Sequence, residues 1–240
     1  MQISLQRQNK NCGKLFIPQT QYSSYILMQM WKINYSTFVM VYYGHRETIY
    51  MRQEDFVQAL QTLHIALSDT QLLQLQEYAE LLKTWNEKMN LTAITEYEEV
   101  LEKHFYDCII PLKNAYVQGS VLDVGSGAGF PGLVWKIMKP ELQVTLLEPT
   151  GKRCTFLKEV ISHLHLENIL VVNERAEEFV VDHRESFDVV TARAVANLNV
   201  LSELCVPLVK VGGYFYALKG AKGKEEELSA SKAMTILGME

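Results

Sequence analysis

The sequence predicts an α/β fold in which a doubly wound, mostly parallel sheet follows a small helical region. From Ser120 onward, short apolar runs alternate with amphipathic segments, a pattern typical of a parallel sheet covered by helices on both faces. Before Ser120, apolar residues recur at helical spacing from Met51. A glycine-rich turn, DVGSGAGFPG at 123–132, lies between the first strand of the sheet and the next helix.

These patterns divide the 240 residues into three parts. Residues 1–50 lack a clear period, and we expect a disordered extension or translated upstream sequence. Residues 51–115 form the helical region, and residues 116–240 form the α/β domain. We expect this domain to be truncated at its C-terminal end, because another strand should follow its last helix. The strand at 214–218 would then remain an open edge.

Three helices are predicted in the helical region. The first has its apolar side chains at helical spacing: Phe56, Leu60, Leu63 and Leu67. Ser68 is the expected N-cap of the second helix, and Gln71 completes a capping box with it. The apolar face of this helix comprises Leu72, Leu75, Ala79, Leu82 and Trp85. The third helix should run from Glu96 to Ile110 and stop at Pro111, which cannot continue it.

The α/β domain should contain five strands and four helices. The predicted strands are 121–124, 144–147, 169–172, 187–191 and 214–218. The predicted helices are 131–138, 153–165, 198–209 and 224–237.

The formal net charge of −5 is unevenly distributed. Residues 1–50 carry five Lys or Arg and one acid, a sum of +4, so the rest of the chain sums to −5 − 4 = −9. A uniformly basic nucleic-acid coat is therefore excluded, and any RNA contact must use a local patch.

The cysteines and the apolar segments indicate a cytoplasmic protein with neither a metal site nor a membrane span. The cysteines lie far apart, without a CxxC pair or a nearby His at metal-ligand spacing: Cys12, Cys108, Cys154 and Cys205. The aromatic stretch at 22–43 is interrupted by Lys32 and by scattered polar residues, which argues against insertion into a membrane.

The residue types of the glycine-rich turn favour a nucleotide-like ligand. Gly125, Gly127 and Gly129 allow tight left-handed turns and let a ligand lie against bare main chain. Nineteen residues past Gly129, Glu148 follows the second strand, where a carboxylate can accept both hydroxyls of a ribose. We predict that Glu148→Ala weakens cofactor affinity and leaves the fold intact.

Two cofactors fit this turn. Gly127, Gly129 and Gly132 satisfy the G-x-G-x-x-G fingerprint that cradles the pyrophosphate of a dinucleotide. Asp123, at the end of the first strand, would oppose a pyrophosphate but would suit a cationic sulfonium. The residues therefore favour S-adenosylmethionine over NAD.

Six motifs occur together and in order, and the combination is far more specific than one glycine-rich turn. They are WNEKMNLTAIT (85–95), DVGSGAGFPG (123–132), EPTGKRCTFL (148–157), RAEEF (175–179), TARAVANL (191–198) and ALKG (217–220). Over residues 51–240 the chain resembles the glucose-inhibited division protein B family, the bacterial ribosomal small subunit methyltransferase G.

This resemblance implies a class I, Rossmann-like methyltransferase fold that transfers a methyl group from S-adenosylmethionine to N7 of a guanine in 16S ribosomal RNA. It implies cofactor contacts at Gly125, Phe130, Ala176, Glu177 and Arg193. Asp123, Gly127, Gly129 and Glu148 are added from the residue types and spacing discussed above. The expected partner is 16S ribosomal RNA or the small ribosomal subunit, and the expected state is a cytoplasmic monomer with no membrane association.

RNA contacts should come from residues near the cofactor end of the sheet, since phosphate contacts supply most of the affinity for nucleic acid. The candidates are Lys88, Asn90, Lys152, Arg153 and Lys219. For each lysine a solvated surface charge is at least as good an interpretation.

No catalytic residue is assigned, because guanine N7 carries an in-plane lone pair and needs no deprotonation before it attacks a methyl group. Three histidines would be the candidates for a catalytic role, namely His104, His163 and His165. His163 and His165 are expected on the surface. His104, near the join of the two regions, could help to hold the base or could be a structural helix residue.

Two alternatives stay open from the sequence. The G-x-G-x-x-G spacing would also suit an NAD-dependent oxidoreductase. The absence of further C-terminal strands would suit a ribosome-associated RNA-binding protein without catalysis.

Overall fold

The structure is a computed structural model of the chain. It describes residues 51–113, 116–220 and 223–236, together with four strands within residues 1–50. The strands are β1 (Gln6–Arg7), β2 (Cys12–Ile17), β3 (Ile26–Ile33), β4 (Ser36–Tyr43), β5 (Ser120–Val124), β6 (Gln143–Leu147), β7 (Ile169–Val172), β8 (Phe187–Arg193) and β9 (Val209–Lys219).

The described helices include single turns of π and 3₁₀ geometry. The α-helices are α1 (Gln53–Thr62), α2 (Asp69–Met89), α3 (Tyr97–Val100), α4 (Asp107–Ile109), α5 (Gly132–Met138), α6 (Gly151–His163), α7 (Ala176–Phe179), α8 (Leu198–Cys205) and α9 (Gly223–Ile236). A π-helix covers Leu101–Tyr106, and 3₁₀ turns cover Ile110–Lys113 and Val206–Leu208.

The chain forms two compact units. The central unit is Ile49–Arg175, and the terminal unit combines Met1–Thr48 with Ala176–Glu240. The predicted helical region thus shares a unit with the first three strands of the predicted α/β domain.

The central unit contains three parallel strands in the order β5, β6, β7. Val124 pairs with Leu147, and Leu147 pairs with Val172, so the three strands end at one edge. The residues that follow each strand therefore lie side by side. The core beside these strands is apolar and includes the fully buried Trp135 and Phe156.

The helical region is joined to α5 by hydrogen bonds as well as by apolar packing. The capping box at the start of α2 is present as predicted, with Ser68 and Gln71 bonded reciprocally. The Gln71 amide also donates to the carbonyls of Ile137 and Met138, at 3.0 Å each, and so caps the C-terminal end of α5. The indole of Trp135 donates to the Cys108 carbonyl at 2.6 Å.

Two predicted helix ends are wrong. The first helix ends at Thr62, so Leu67 lies in the following loop; His64 adopts a left-handed φ of 58° there. The third helical segment continues beyond Pro111 as a 3₁₀ turn to Lys113. Proline is tolerated at this position because the first residues of a helical turn do not need their N–H groups.

In the terminal unit, β8 pairs in parallel with β9, and β9 pairs in parallel with β4. Strands β1 to β4 pair with one another in antiparallel fashion. Val39, Met40 and Val41 of β4 are fully buried. The predicted open edge at 214–218 is therefore wrong, because Thr37–Tyr42 pairs with Tyr214–Lys219.

The predicted α/β class with parallel strands is confirmed. Every strand and helix predicted in 116–240 is present, with ends that differ by a few residues. Among the described residues, none of the helices combines the length and the apolar character of a membrane-spanning segment. The side chains of Cys108, Cys154 and Cys205 are buried, whereas the side chain of Cys12 lies outside the described residues.

Candidate functional site

The glycine-rich turn after β5 has the left-handed backbone that its glycines predict. Gly125, Gly127 and Gly129 have φ angles of 68°, 57° and 94°. The amides of Gly125 and Ser126 donate to the Leu147 carbonyl at 2.8 Å and 3.1 Å, which anchors the turn to the end of β6. Side chains with a Cβ rarely adopt these angles, so the turn depends on glycine.

The glycines of the turn serve two different purposes. A methyl group on Gly129 would lie 2.3 Å from a Leu133 side-chain carbon and 2.7 Å from the Tyr78 hydroxyl. A methyl group on Gly127 would meet only the Gly125 carbonyl, at 3.8 Å. Gly129 therefore lacks a side chain because the protein packs against it, whereas the space beside the main chain of Gly127 is open.

Asp123 is fully buried, and its carboxylate caps the start of α5. Its Oδ2 accepts a hydrogen bond from the Gly132 amide at 2.9 Å. A carboxylate is favoured at a helix N-terminus because the amides there carry a partial positive charge. In a dinucleotide site such an amide faces the pyrophosphate. The position is taken by the protein's own anion, and this argues against the NAD interpretation.

Glu148 is the central polar residue of the site. Its side chain is 2% exposed, and each of its carboxylate oxygens accepts a hydrogen bond from a backbone amide. Oε2 accepts from the Gly127 amide and Oε1 from the Thr150 amide, both at 2.9 Å. The Arg153 guanidinium lies 3.8 Å from Oε1. Because a carboxylate oxygen has two lone pairs, Glu148 can hold the turn and accept a ribose hydroxyl at the same time.

The main chain of Glu148 is held by residues that sequence reasoning missed. The Glu148 carbonyl accepts from the Asn173 side-chain amide at 2.9 Å and from the Cys154 thiol at 3.1 Å. Burial, reinforced by the Glu148 charge, raises the pKa of the Cys154 thiol, which therefore remains a donor. The usable signal for Asn173 is its position directly after β7, at the edge where β5 and β6 also end.

Phe130 closes the turn and packs into an aromatic cluster. It is 7% exposed, and its ring centroid lies 4.4 Å from that of His104 and 5.5 Å from that of Tyr78. The Tyr78 hydroxyl also donates to the Ala128 carbonyl. Phe105 packs against the Phe130 ring at 6.2 Å, so the helical region contacts the turn directly, through residues for which sequence spacing predicts no such contact.

Three of the residues implied by the resemblance belong to the terminal unit. Ala176 is buried and Glu177 is exposed at the start of α7. Arg193 is half-buried at the end of β8. Ala176 and Glu177 follow β7, and Arg193 is the last residue of β8.

The candidate RNA-binding residues differ in exposure. Lys88, Asn90 and Lys152 are exposed, and the Arg153 side chain is 44% exposed beside Glu148. Lys219 is only 6% exposed. Its amine donates to the Ala196 carbonyl at 2.6 Å and forms an ion pair with Glu226 at 2.8 Å. Lys219 is therefore engaged within its own unit, whereas the other four face solvent.

A cavity of about 630 Å³ lies on the central unit away from the glycine-rich turn. It is lined mainly by α2 together with Tyr97 and His163, and its charged groups include Glu77 and Glu80. Such an acidic lining disfavours RNA phosphate. His163 and His165 are exposed, as expected.

Comparison with known proteins covers most of the chain. The family model GidB, rRNA small subunit methyltransferase G, matches residues 71–240. A protein of Lysinibacillus sphaericus (strain C3-41) named ribosomal RNA small subunit methyltransferase G is 52% identical over 195 residues, 79% of this chain and 81% of that protein. Proteins of the same name from Alkaliphilus metalliredigens (strain QYMF) and Staphylococcus aureus (strain Newman) are 50% and 49% identical, covering 74% and 78% of this chain and 76% and 80% of theirs.

Proposed function

Because this chain belongs to the rRNA small subunit methyltransferase G family, we propose that it transfers a methyl group from S-adenosylmethionine to N7 of a guanine in 16S ribosomal RNA. The observation that carries the proposal is the hydrogen bond between the Gly127 amide and the buried Glu148 carboxylate. This contact joins bare main chain to an acceptor for a ribose at the edge where the parallel strands end, which is where ligands bind in open α/β sheets.

The residues of the turn fit S-adenosylmethionine better than a dinucleotide. Gly125 and Gly127 are partly exposed, so an adenosine can lie against their backbone. Asp123 fills the helix N-terminus with negative charge, which repels a pyrophosphate but not a sulfonium. When bound, the cofactor supplies an electrophilic methyl group.

The proposed cofactor site also includes residues for which the structure gives less direct support than for Gly127 and Glu148. Phe130 and Gly129 belong to the same turn, and their role is to shape it. For Ala176, Glu177 and Arg193 the proposal depends on the family resemblance alone.

The proposed reaction requires little acid–base catalysis by the protein. Guanine N7 attacks through its in-plane lone pair, so no residue has to remove a proton first. The protein contributes orientation of the base and exclusion of water, which together account for large rate accelerations in other enzymes. A rigid turn, held by Glu148 and by the Phe130 cluster, is suited to that task.

We further propose that the protein acts as a monomer in the cytoplasm on 16S ribosomal RNA or the small ribosomal subunit. The net charge of −5 requires a local basic patch for RNA. Lys88, Lys152 and Arg153 are exposed and supply such charges. Replacing any one of these three residues by alanine should weaken RNA binding and reduce its salt dependence.

The test combines cofactor binding with product identification. Calorimetric titration with S-adenosylmethionine and with NAD decides the cofactor. Labelled S-adenosylmethionine is then incubated with small ribosomal subunits from cells that lack the modification, and digested nucleosides are analysed for 7-methylguanosine. Glu148→Gln should reduce transfer, whereas Glu159→Gln, an exposed glutamate of α6, should not.

Three results would contradict the proposal. NAD binding without S-adenosylmethionine binding would favour the oxidoreductase. RNA association without any cofactor binding would favour the non-catalytic protein. A methyl group found on another atom or base would retain the enzyme class and remove the guanine N7 assignment.

A further inference from the structure

We propose that His104 is a positioning residue for the glycine-rich turn, acting through its stack on Phe130 and its hydrogen bond to Thr92. This inference rests on the proposed function, because the turn concerned is the one proposed to bind S-adenosylmethionine. His104 itself is not expected to touch the cofactor or the reacting atoms.

His104 lies in a short π-helix, Leu101–Tyr106, between α3 and α4. Single π turns inside helices are uncommon and occur frequently at functional sites. The side chain is 7% exposed. A histidine in this place is therefore neither a surface residue nor part of an uninterrupted helix face.

The imidazole covers one side of Phe130. The two ring centroids lie 4.4 Å apart, with an angle of 25° between the ring planes. Tyr78 packs against the same phenyl ring at 5.5 Å and its hydroxyl bonds the Ala128 carbonyl. Phe105 of the helical region also lies near this ring, with its centroid 6.2 Å away. Residues 128–130 are thus held by three aromatic side chains from the helical region, of which His104 has the shortest centroid distance.

The hydrogen bonds of His104 fix the orientation of its ring. Nδ1 lies 3.2 Å from the Lys103 carbonyl, and Nε2 lies 3.0 Å from the Thr92 hydroxyl. A carbonyl can only accept, so in the neutral ring Nδ1 carries the hydrogen and Nε2 accepts from Thr92. The Thr92 oxygen accepts in turn from the Ile94 amide at 3.1 Å. Both ring nitrogens and the Thr92 hydroxyl have hydrogen-bond partners in this arrangement.

Thr92 is itself fixed by the end of α2. Its amide donates to the Asn86 side-chain oxygen at 2.8 Å. A continuous set of contacts therefore runs from Asn86 through Thr92 and His104 to Phe130. This gives the WNEKMNLTAIT motif at 85–95 a physical purpose, which is to hold the ring that supports the turn.

The contacts of His104 can be separated by substitution. His104→Phe keeps an aromatic ring on Phe130 and loses the bond to Thr92. Thr92→Val removes the hydroxyl at nearly constant volume. His104→Ala removes both contacts. Val160→Ala, in the C-terminal half of α6, is the matched control because Val160 is fully buried and belongs to no part of the site.

Two measurements are made on each folded variant. Hydrogen exchange of the backbone amides of residues 125–132 is followed without cofactor, and the dissociation constant for S-adenosylmethionine is measured by calorimetry. We expect His104→Ala to accelerate exchange in the turn and to weaken affinity about ten-fold, whereas Val160→Ala lowers thermal stability alone. His104→Phe should bind S-adenosylmethionine with most of the wild-type affinity, and Thr92→Val should bind it about three-fold more weakly than the wild type. The double variant of His104→Phe with Thr92→Val should show no loss beyond that of the single variants.

The outcomes distinguish the two proposals. If the wild-type chain binds no S-adenosylmethionine, the proposed function fails, and the exchange data still decide whether His104 orders the turn. Unchanged exchange and affinity in His104→Ala, or effects equal to those of Val160→Ala, would overturn the positioning role. Additive losses for His104→Phe and Thr92→Val would show that the two residues do not act through one contact.

Discussion

Glu148→Ala should destabilise the central unit as well as weaken cofactor binding. In the folded protein the carboxylate is 2% exposed and accepts the Gly127 and Thr150 amides at 2.9 Å each. Alanine leaves both amides without this acceptor, and the turn is then anchored to the end of β6 by the hydrogen bonds of Gly125 and Ser126 to the Leu147 carbonyl. The residue types alone predict an intact fold for this variant, because they reveal no contact between the carboxylate and the turn.

The magnitude follows from the two hydrogen bonds. A bond to a charged acceptor contributes about 1.5–3 kcal/mol, so the pair contributes at most about 3–6 kcal/mol. Thr150 is exposed and Gly127 partly so, and water can replace part of each bond. We therefore expect a loss of about 2–4 kcal/mol. In a chain of this size that corresponds to a Tm lower by about 4–16 °C.

The assay is urea unfolding followed by circular dichroism, combined with calorimetric titration of S-adenosylmethionine. Glu148→Gln keeps one acceptor oxygen and should lose about half as much stability. Glu159→Gln, exposed on α6, should stay within about 0.5 kcal/mol of the wild type. A Glu148→Ala protein with wild-type stability would refute the role of the two amide contacts. Wild-type affinity in a folded Glu148→Gln variant would remove Glu148 from the cofactor site.

Three other contacts lead to measurable outcomes. Gly129 has a φ of 94°, and Gly129→Ala would place a methyl group 2.3 Å from a side-chain carbon of α5, so we expect loss of soluble protein. The control Gly220→Ala, whose methyl group would have no atom within 4 Å, should change Tm by less than about 2 °C. Lys219→Ala breaks a largely buried ion pair and should cost about 2–3 kcal/mol in urea unfolding, against at most about 1 kcal/mol for Lys210→Ala, whose ion pair is exposed. Burial raises the pKa of the Cys154 thiol, so above the ordinary pKa of a thiol the unfolded chain ionises first and the stability of the folded protein should fall. Urea midpoints compared at about pH 7 and pH 9.5 should show this loss in the wild type and not in Cys154→Ala.

The elements of the α/β domain were accessible from the sequence because they depend on local patterns. The strand from Ile169 to Val172 matches its predicted position, as does the capping box at Ser68 in the helical region. The left-handed glycines of the turn follow from residue type alone. Helix ends were less accessible, since the 3₁₀ turn after Pro111 and the left-handed His64 depend on how neighbouring elements pack.

The N-terminal segment shows a different limit. Residues 36–43 form β4, which pairs with β9. These two segments lie more than a hundred residues apart in the chain. No periodicity within either one reveals the partner, and without the partner β9 looks like an open edge.

By itself, the sequence determined the class of fold, the position of the glycine-rich turn and the family to which the motifs belong. Residue type and spacing are sufficient for these features, because φ angles, helix caps and strand alternation are local properties. Only the tertiary structure decided that Asp123 caps α5, that Glu148 holds the turn and that His104 supports Phe130. Each of these contacts joins groups brought together by packing, and the donors and acceptors that remain for a ligand are known only once the protein's own contacts are known.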